Sequence, residues 1–494
     1  MTRLHRTGVD QLDPRVGVPT YSTADVRTGI VHLGVGGFHR SHMAVYLDDL
    51  FTLGLSRDWA VTGLGLLPQD STMRDALLPQ GCAYTVMTKS ADGAVSARVV
   101  GSLVDYVFVP EQPEAAREVL TDPRTRIVSL TITEGGYHVD QNSGDLVVDE
   151  ALARDLDALR TGGHPATAFG LIVDALARRR DAGTAPFTVM SCDNIQGNGA
   201  LTRRAVTAFA RLLDPDLAAW VDAAVAFPSS MVDRITPATT DADRTRLADE
   251  LGVEDAWPVV CEPFRQWVLE DHFPTGRPLL EEVGVQLVPD VHPYELMKLR
   301  LLNAGHQAVA YLGRLSGFTY VHEVAQDPLF ARFLAGFMEH EASPTLAPVP
   351  GVDLPRYRED LLARFANAHV RDTLERLCLD TSDRIPTFLL PVVRDQLASG
   401  GPLHRAALVV AAWARYAEGV GEDGAPFEVV DQRREQVMAR ARRARTDPLA
   451  FLEDARLFGD LRDSERFTTA YREALASLRE VGARASVEAW ADAG

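Results

Sequence analysis

Lysine is almost missing from this chain. Of its 50 basic residues only two, Lys89 and Lys298, are lysine, and the rest are arginine. Arginine does not give up its proton in a protein, so a chain that keeps lysine so sparingly marks Lys298 as a candidate titrating group. Cysteine is also scarce: Cys82, Cys192, Cys261 and Cys378 lie far apart and form no CxxC pair. That pattern suggests neither a disulfide framework nor a zinc site and suits a reducing cytoplasm. Positive charge is in deficit, with 50 basic against 69 acidic residues and a net charge of −19, which argues against nucleic acid or an anionic membrane as partner. Long apolar runs are missing too. The longest, residues 406–414, is too short to span a bilayer, and the N-terminal MTRLHRTGVDQLD has no apolar signal core.

What is present is ordinary for a globular protein, with 46% apolar and 24% charged residues. At 494 residues the chain exceeds the size of a single core, so two domains are expected. Alternating strand and helix patterns predict an α/β, doubly wound N-terminal domain over 1–288. The reading turns almost wholly helical afterwards, which predicts a mainly α-helical domain over 289–494. Residues 343–353, with three prolines and Gly351, break that helical half, and the arginine-rich stretch 433–445 reads as a solvated helix face.

The first motif is GIVHLGVGGFHR at 29–40, a short apolar strand, a glycine turn and a helix start. A dinucleotide site requires that order, because backbone N–H groups at the turn meet the pyrophosphate. Gly34, Gly36, Gly37, Phe38 and His39 form the candidate cofactor loop. His39 stands where the third glycine of the fingerprint belongs, so a plain turn-and-cap role is the alternative. A second strand over 59–66 ends just before Asp70, the best-placed acid for the adenosine ribose hydroxyls, although it lies 36 residues beyond Gly34 rather than about 20. Arg74, close by, keeps NADP open beside NAD. A third strand over 126–133 runs into Glu134-Gly135-Gly136, and a strand over 187–192 runs into DNIQGNG at 193–199. Both ends read as loops over a ligand crevice, with surface turns and helix caps as the plainer alternatives.

In the second half, KLRLLNAGH at 298–306 has helical spacing. At about 100° per residue, Asn303 and His306 fall within roughly 140° of Lys298, while Met297, Leu301, Ala304, Ala308 and Leu312 take the side that packs on a core. The bland alternative is a surface helix with a solvated lysine.

These residues give the chain a resemblance to the mannitol dehydrogenase family of long-chain polyol dehydrogenases. The matching segments, in order, are GVGGFHRSH at 34–42, TITEGGY at 131–137, SCDNIQGNG at 191–199, FPSSMVDRITP at 227–237, CEPFRQWVLED at 261–271 and PYELMKLRLLNAGH at 293–306. The resemblance implies a Rossmann-like first domain and a zinc-independent, NAD-dependent oxidation of a polyol, most closely D-mannitol to D-fructose. It implies Lys298 as general base, Asn194 and Asn303 as oxyanion donors, and His306 as the residue that orients substrate. It also implies Asp233 and Arg234 beside the site as substrate-binding residues, Arg376 as a substrate-hydroxyl contact, and Glu134 in proton relay to water; Arg384, with Arg376, could supply the cations that an acid substrate would want. Ser229 departs from the pattern, since many members carry Asn there, and this leaves D-arabinitol or a keto-hexuronate such as fructuronate as alternative substrates. A nicotinamide-sensing protein without catalysis is the alternative of another class. The resemblance favours a monomer over a dimer.

Oxidising a secondary alcohol needs a hydride acceptor and a base for the hydroxyl proton. A free lysine, with pKa about 10.4, is neutral only about once in 2,500 at pH 7, so the chemistry asks for a site that lowers it by roughly three units through desolvation and a positive nicotinamide ring. His32, His39 and His42 invite a metal reading, but no carboxylate or thiolate spacing accompanies them, so no metal is expected.

Overall fold

A computed structural model describes residues 2–140 and 144–491, apart from the side chain of Glu134. The chain divides into two compact units, 1–292 and 293–494.

The first unit is built on a five-stranded, all-parallel sheet. Its strands are β1 (Thr28–Leu33), β2 (Ala60–Gly65), β3 (Leu103–Phe108), β4 (Ile127–Leu130) and β5 (Thr188–Ser191), in the order β3-β2-β1-β4-β5. Apart from half-exposed Thr28 at its start, β1 is buried along its length, as are β2, β4 and β5, which suits a parallel sheet covered on both faces. The chain winds outward from β1 to β3, then returns to the other side of β1 for β4 and β5. That reversal opens a crevice at the C-terminal edge between β1 and β4, the ligand-binding position of the Rossmann fold. Strand β3 escaped the sequence reading, and β4 is shorter than its apolar run, because residues 131–133 leave the sheet. A four-stranded and a three-stranded sheet add to this unit, the latter formed by Ser230–Asp233, Gln266–Glu270 and Gln286–Val288.

The second unit is helical. Its core gathers Met297, Leu301, Ala304, Ala308 and Leu312 with residues from most of its helices, including Phe333, Leu361, Leu408 and Tyr471. Three helices here contain π turns, Leu299–Asn303, Phe337–Ala342 and Ile385–Leu389, and the first packs against the other two. The third has a local cause: Pro386 and Pro391 lack the N–H groups that an uninterrupted α-helix would use. The arginine-rich stretch forms the helix Arg434–Arg443. It buries Val437 and Ala441 and pairs Arg440 with Asp454 and Arg443 with Glu453.

Candidate active site

In the first unit, every candidate at a strand's C-terminal end is placed by the sheet. After β1 the chain turns through Gly34, whose φ of +91° and whose missing Cβ are both required: a methyl there would sit 2.2 Å from the Thr131 carbonyl oxygen. Gly36 precedes the short helix Gly37–Ser41, and a Cβ on it would meet nothing closer than 3.9 Å. The two glycines thus do different work. One lets β1 and β4 approach, and the other leaves the mouth of the turn open, which suits a pyrophosphate.

His39, in the third glycine position, is buried and stacks on His32 of β1 with ring centroids 3.6 Å apart. A flat ring laid on a strand side chain takes over the helix-to-strand packing that glycine usually permits. His32 in turn bonds Ser129 at 2.8 Å and Thr131 at 2.9 Å, tying β1 to β4. His42 bonds the Gln266 carbonyl at 2.8 Å. Burial pushes His32 and His42 down to about 3 and His39 well below its ordinary value, so all three rings are neutral near pH 7. Among the described residues no group of three or more His, Cys, Asp or Glu is placed to hold a metal.

Asp70 follows β2. One carboxylate oxygen accepts the Leu66 and Leu67 N–H groups at 2.8 and 2.9 Å, and the Tyr106 hydroxyl bonds the Asp70 carbonyl at 3.2 Å. Gly65 makes room for that tyrosine, since a Cβ would fall 2.1 Å from its oxygen. Arg74 is drawn away by Asp75 at 2.8 Å and Glu111 at 2.7 Å and lies over the Phe108 ring. Its charge is therefore already shared between two carboxylates, which favours a ribose diol over a 2′-phosphate beside Asp70.

Glu134 begins the short turn Glu134–Tyr137; its side chain lies outside the described residues. The turn is framed by two non-glycine residues at positive φ, Thr133 at 60° and His138 at 49°. Buried Asp193 holds it, accepting the Ile132 N–H at 3.1 Å, the Thr133 N–H at 2.8 Å and the Tyr137 hydroxyl at 2.8 Å. Asn194, the next residue, is exposed. Buried Asn198 closes the same loop by bonding the Asp193 and Ser230 carbonyls and the Ser230 N–H. Gly199 has no room for a Cβ, which would lie 2.5 Å from the Phe227 oxygen. Asp193, Tyr137 and Asn198 were not singled out from sequence; an acid and an amide flanking Asn194 in SCDNIQGNG were the available signal.

Asp233 and Arg234 are both buried. Arg234 donates to the Glu262 carbonyl at 3.0 Å and to the Ser41 carbonyl, and burial pulls its pKa down. Arg234 therefore braces the helix behind the glycine turn. Ser229 is tied through its backbone to Glu270.

In the second unit, Lys298, Asn303 and His306 lie on one helical segment: α-helix His292–Lys298, π turn Leu299–Asn303 and α-helix Ala304–Leu315. The uninterrupted helix expected from sequence is thus interrupted where the chemistry was placed. In an α-helix five residues turn about 500°, leaving Asn303 roughly 140° from Lys298. The i→i+5 turn brings the two back toward one side. All three side chains are buried, at 6, 7 and 8% exposure, and Asn303 Oδ1 has no hydrogen-bond partner among the described residues. His306 stacks on Phe365 at 4.4 Å. Gly305 lets the helix close on Met338 and Phe365, as a Cβ would lie 2.8 Å from Met338 Cε. Arg300 anchors the wide turn from outside, pairing with Asp395 at 2.7 Å and donating to the Thr345 carbonyl at 2.5 Å.

Arg376 lies at the surface of this unit with its guanidinium on Asp372, and Arg384 donates to the Arg376 and Leu377 carbonyls at 3.2 and 3.3 Å.

A Rossmann sheet with an open glycine turn, joined in one chain to a helical unit that buries a lysine, an asparagine and a histidine on one broken helix, defines a two-unit α/β protein of the dinucleotide-binding class. Models of the mannitol dehydrogenase Rossmann domain and of the mannitol dehydrogenase C-terminal domain match residues 28–282 and 290–479. The chain belongs to the mannitol dehydrogenase family. It is 47% identical to a mannitol 2-dehydrogenase of Phaeosphaeria nodorum over 99% of this chain and 86% of that one. It is 46% identical to one of Neosartorya fischeri over 94% of each. Among solved structures, a Pseudomonas fluorescens mannitol 2-dehydrogenase in ternary complex with NAD and D-mannitol superposes with a TM-score of 0.93 at 43% identity, covering 100% of both chains. A substrate-free D-sorbitol dehydrogenase gives 0.89 at 35% identity, covering 98% of this chain and 100% of the other.

Proposed function

We propose that this protein is an NAD-dependent polyol 2-dehydrogenase that interconverts D-mannitol and D-fructose. The observation that carries the reading is the buried Lys298, Asn303 and His306 on one interrupted helix. The names of the relatives support the choice of substrate, and the NAD in one of them supports the choice of cofactor.

The residues present fit NAD: Gly36 leaves space at the turn, Asp70 offers its second carboxylate oxygen toward a ribose diol, and Arg74 is already paired. Bound there, the nicotinamide supplies the hydride acceptor. Neutral Lys298 takes the hydroxyl proton. The amides of Asn194 and Asn303 stabilise the negative charge that develops on the substrate oxygen, an effect worth roughly 2.7–4 kcal/mol per donor. His306, fixed by its stack on Phe365, orients the polyol, and Arg376 and Arg384 meet its distal hydroxyls. Glu134 passes the proton on to water. No metal is required by this scheme, one chain carries every group it uses, and four buried free thiols suit a reducing cytoplasm. No helix among the described residues is long and apolar enough to cross a membrane.

The test is an assay of the purified protein with D-mannitol, D-arabinitol and D-mannonate, first with NAD and then with NADP. Fastest turnover on D-mannitol with NAD is expected. Faster oxidation of D-arabinitol or D-mannonate would reassign the substrate, and no turnover on any of them would favour a sensing role.

A further inference from the structure

Beyond the helix that carries Lys298, the second unit contains a buried acid that the reaction scheme does not use. Asp372 is 6% exposed and sits in the connection between the helices Leu354–Phe365 and Leu374–Leu377. Its backbone is clamped. The Asp372 carbonyl accepts the Val321 N–H at 3.0 Å, Leu374 N–H bonds the Thr319 carbonyl at 3.0 Å, and Tyr320 and Thr373 pair as an isolated antiparallel bridge.

Both carboxylate oxygens are engaged by one partner. Arg376 places Nε 2.6 Å from Oδ1 and bonds Oδ2 through Nη2, a two-pronged fork that fixes the guanidinium plane. The remaining nitrogen, Nη1, has no hydrogen bond among the described residues, and the Arg376 side chain is 43% exposed. The arginine thus has one edge locked and one edge offered. Burial pushes the Asp372 carboxyl up, but the hydrogen bonds and charge of Arg376, together with the charge of His306, hold it below the ordinary carboxylate range. Asp372 therefore stays ionised at neutral pH and lies within electrostatic reach of the proposed substrate-orienting histidine. Arg384, through the Arg376 carbonyl, extends the same chain of contacts outward.

We infer that Asp372 is a positioning residue for the polyol: it holds Arg376 with Nη1 presented to a substrate hydroxyl. The inference rests on the reading of Arg376 as a substrate contact. A free arginine would lose several rotatable bonds on binding, and a pre-set one has already lost them. The role is therefore one of substrate affinity and not of cofactor binding.

The experiment is steady-state kinetics on the full chain, with D-mannitol varied at saturating NAD and NAD varied at saturating D-mannitol. Asp372→Asn keeps the shape and removes the charge. It is expected to raise the KM for D-mannitol about tenfold while leaving the KM for NAD within about twofold. In an Arg376→Gln background the same change should raise the D-mannitol KM by no more than about twofold, because the link it breaks is already gone. Arg376→Lys, which cannot form the fork, should reproduce the split and serves if Asp372→Asn does not fold. An unchanged D-mannitol KM, an equal rise in both KM values, or full additivity with Arg376→Gln would overturn the inference while the functional reading stands. A wild-type chain that oxidises no polyol would overturn both.

Discussion

The two units set their candidate residues in place by opposite means. In the first, Gly34, Asp70, Glu134 and Asn194 follow the ends of parallel strands, and each is held by backbone geometry that a short motif can encode. In the second, Lys298, Asn303 and His306 sit within a single helix, and what aligns them is a local change in helical pitch. A strand end is a natural place for a loop to carry function, because the sheet fixes where each loop starts. A helix interior is not, unless its hydrogen-bond ladder is interrupted, and the π turn at 299–303 is such an interruption. The second unit accommodates it by packing two further π turns around the first and by anchoring Arg300 to Asp395 and Thr345.

The sharpest way to separate the units is at the base. Lys298→Arg keeps a positive charge but cannot take a proton, so kcat should fall by at least about 10³-fold while NAD binding, followed by fluorescence titration, stays nearly intact. Near-normal turnover would break the assignment. Next come the two amides. Asn303→Ala and Asn194→Ala should each lower kcat by about 10²–10³-fold if both donate to the same developing charge. A large loss in one and none in the other would show that a single unit carries the oxyanion site. Asp70→Ala acts on the first unit alone. It should raise the KM for NAD about tenfold and narrow the preference over NADP, with the KM for D-mannitol little changed.

A smaller effect distinguishes the units by acid. An imidazole kept neutral in the fold contributes stability that is full above the unfolded pKa of about 6.5 and is lost as pH falls toward its folded value. His32 and His42, depressed by burial to about 3, and His39, held by burial well below its ordinary value, all belong to the first unit. Thermal melts from pH 7 to pH 4 should therefore show the first unit losing stability as the pH drops. A first unit whose melting temperature does not change over that range would contradict the burial of these rings.

How much of this was legible in the sequence follows the same division. GVGG announced the turn, and the scarcity of lysine singled out Lys298. The alternation of strand and helix gave the fold class, and the apolar residues at Met297, Leu301, Ala304, Ala308 and Leu312 proved to be core. The π turn was not legible: LRLLN contains no proline or glycine, and its residues would serve equally well in an ordinary helix. Asp193 and Asp372 were missed because their importance lies in partners distant along the chain or across a loop: the backbone of 132–133 and Tyr137 for one, the clamp at 319–321 for the other.

The central claim is that Lys298 acts as the base from an interrupted helix. Its most direct test is Lys298→Ala assayed with added methylamine. The account predicts that D-mannitol oxidation, nearly abolished in the variant, returns in proportion to the concentration of the neutral amine. Substantial turnover without any amine, in a folded variant that still binds NAD, would contradict it.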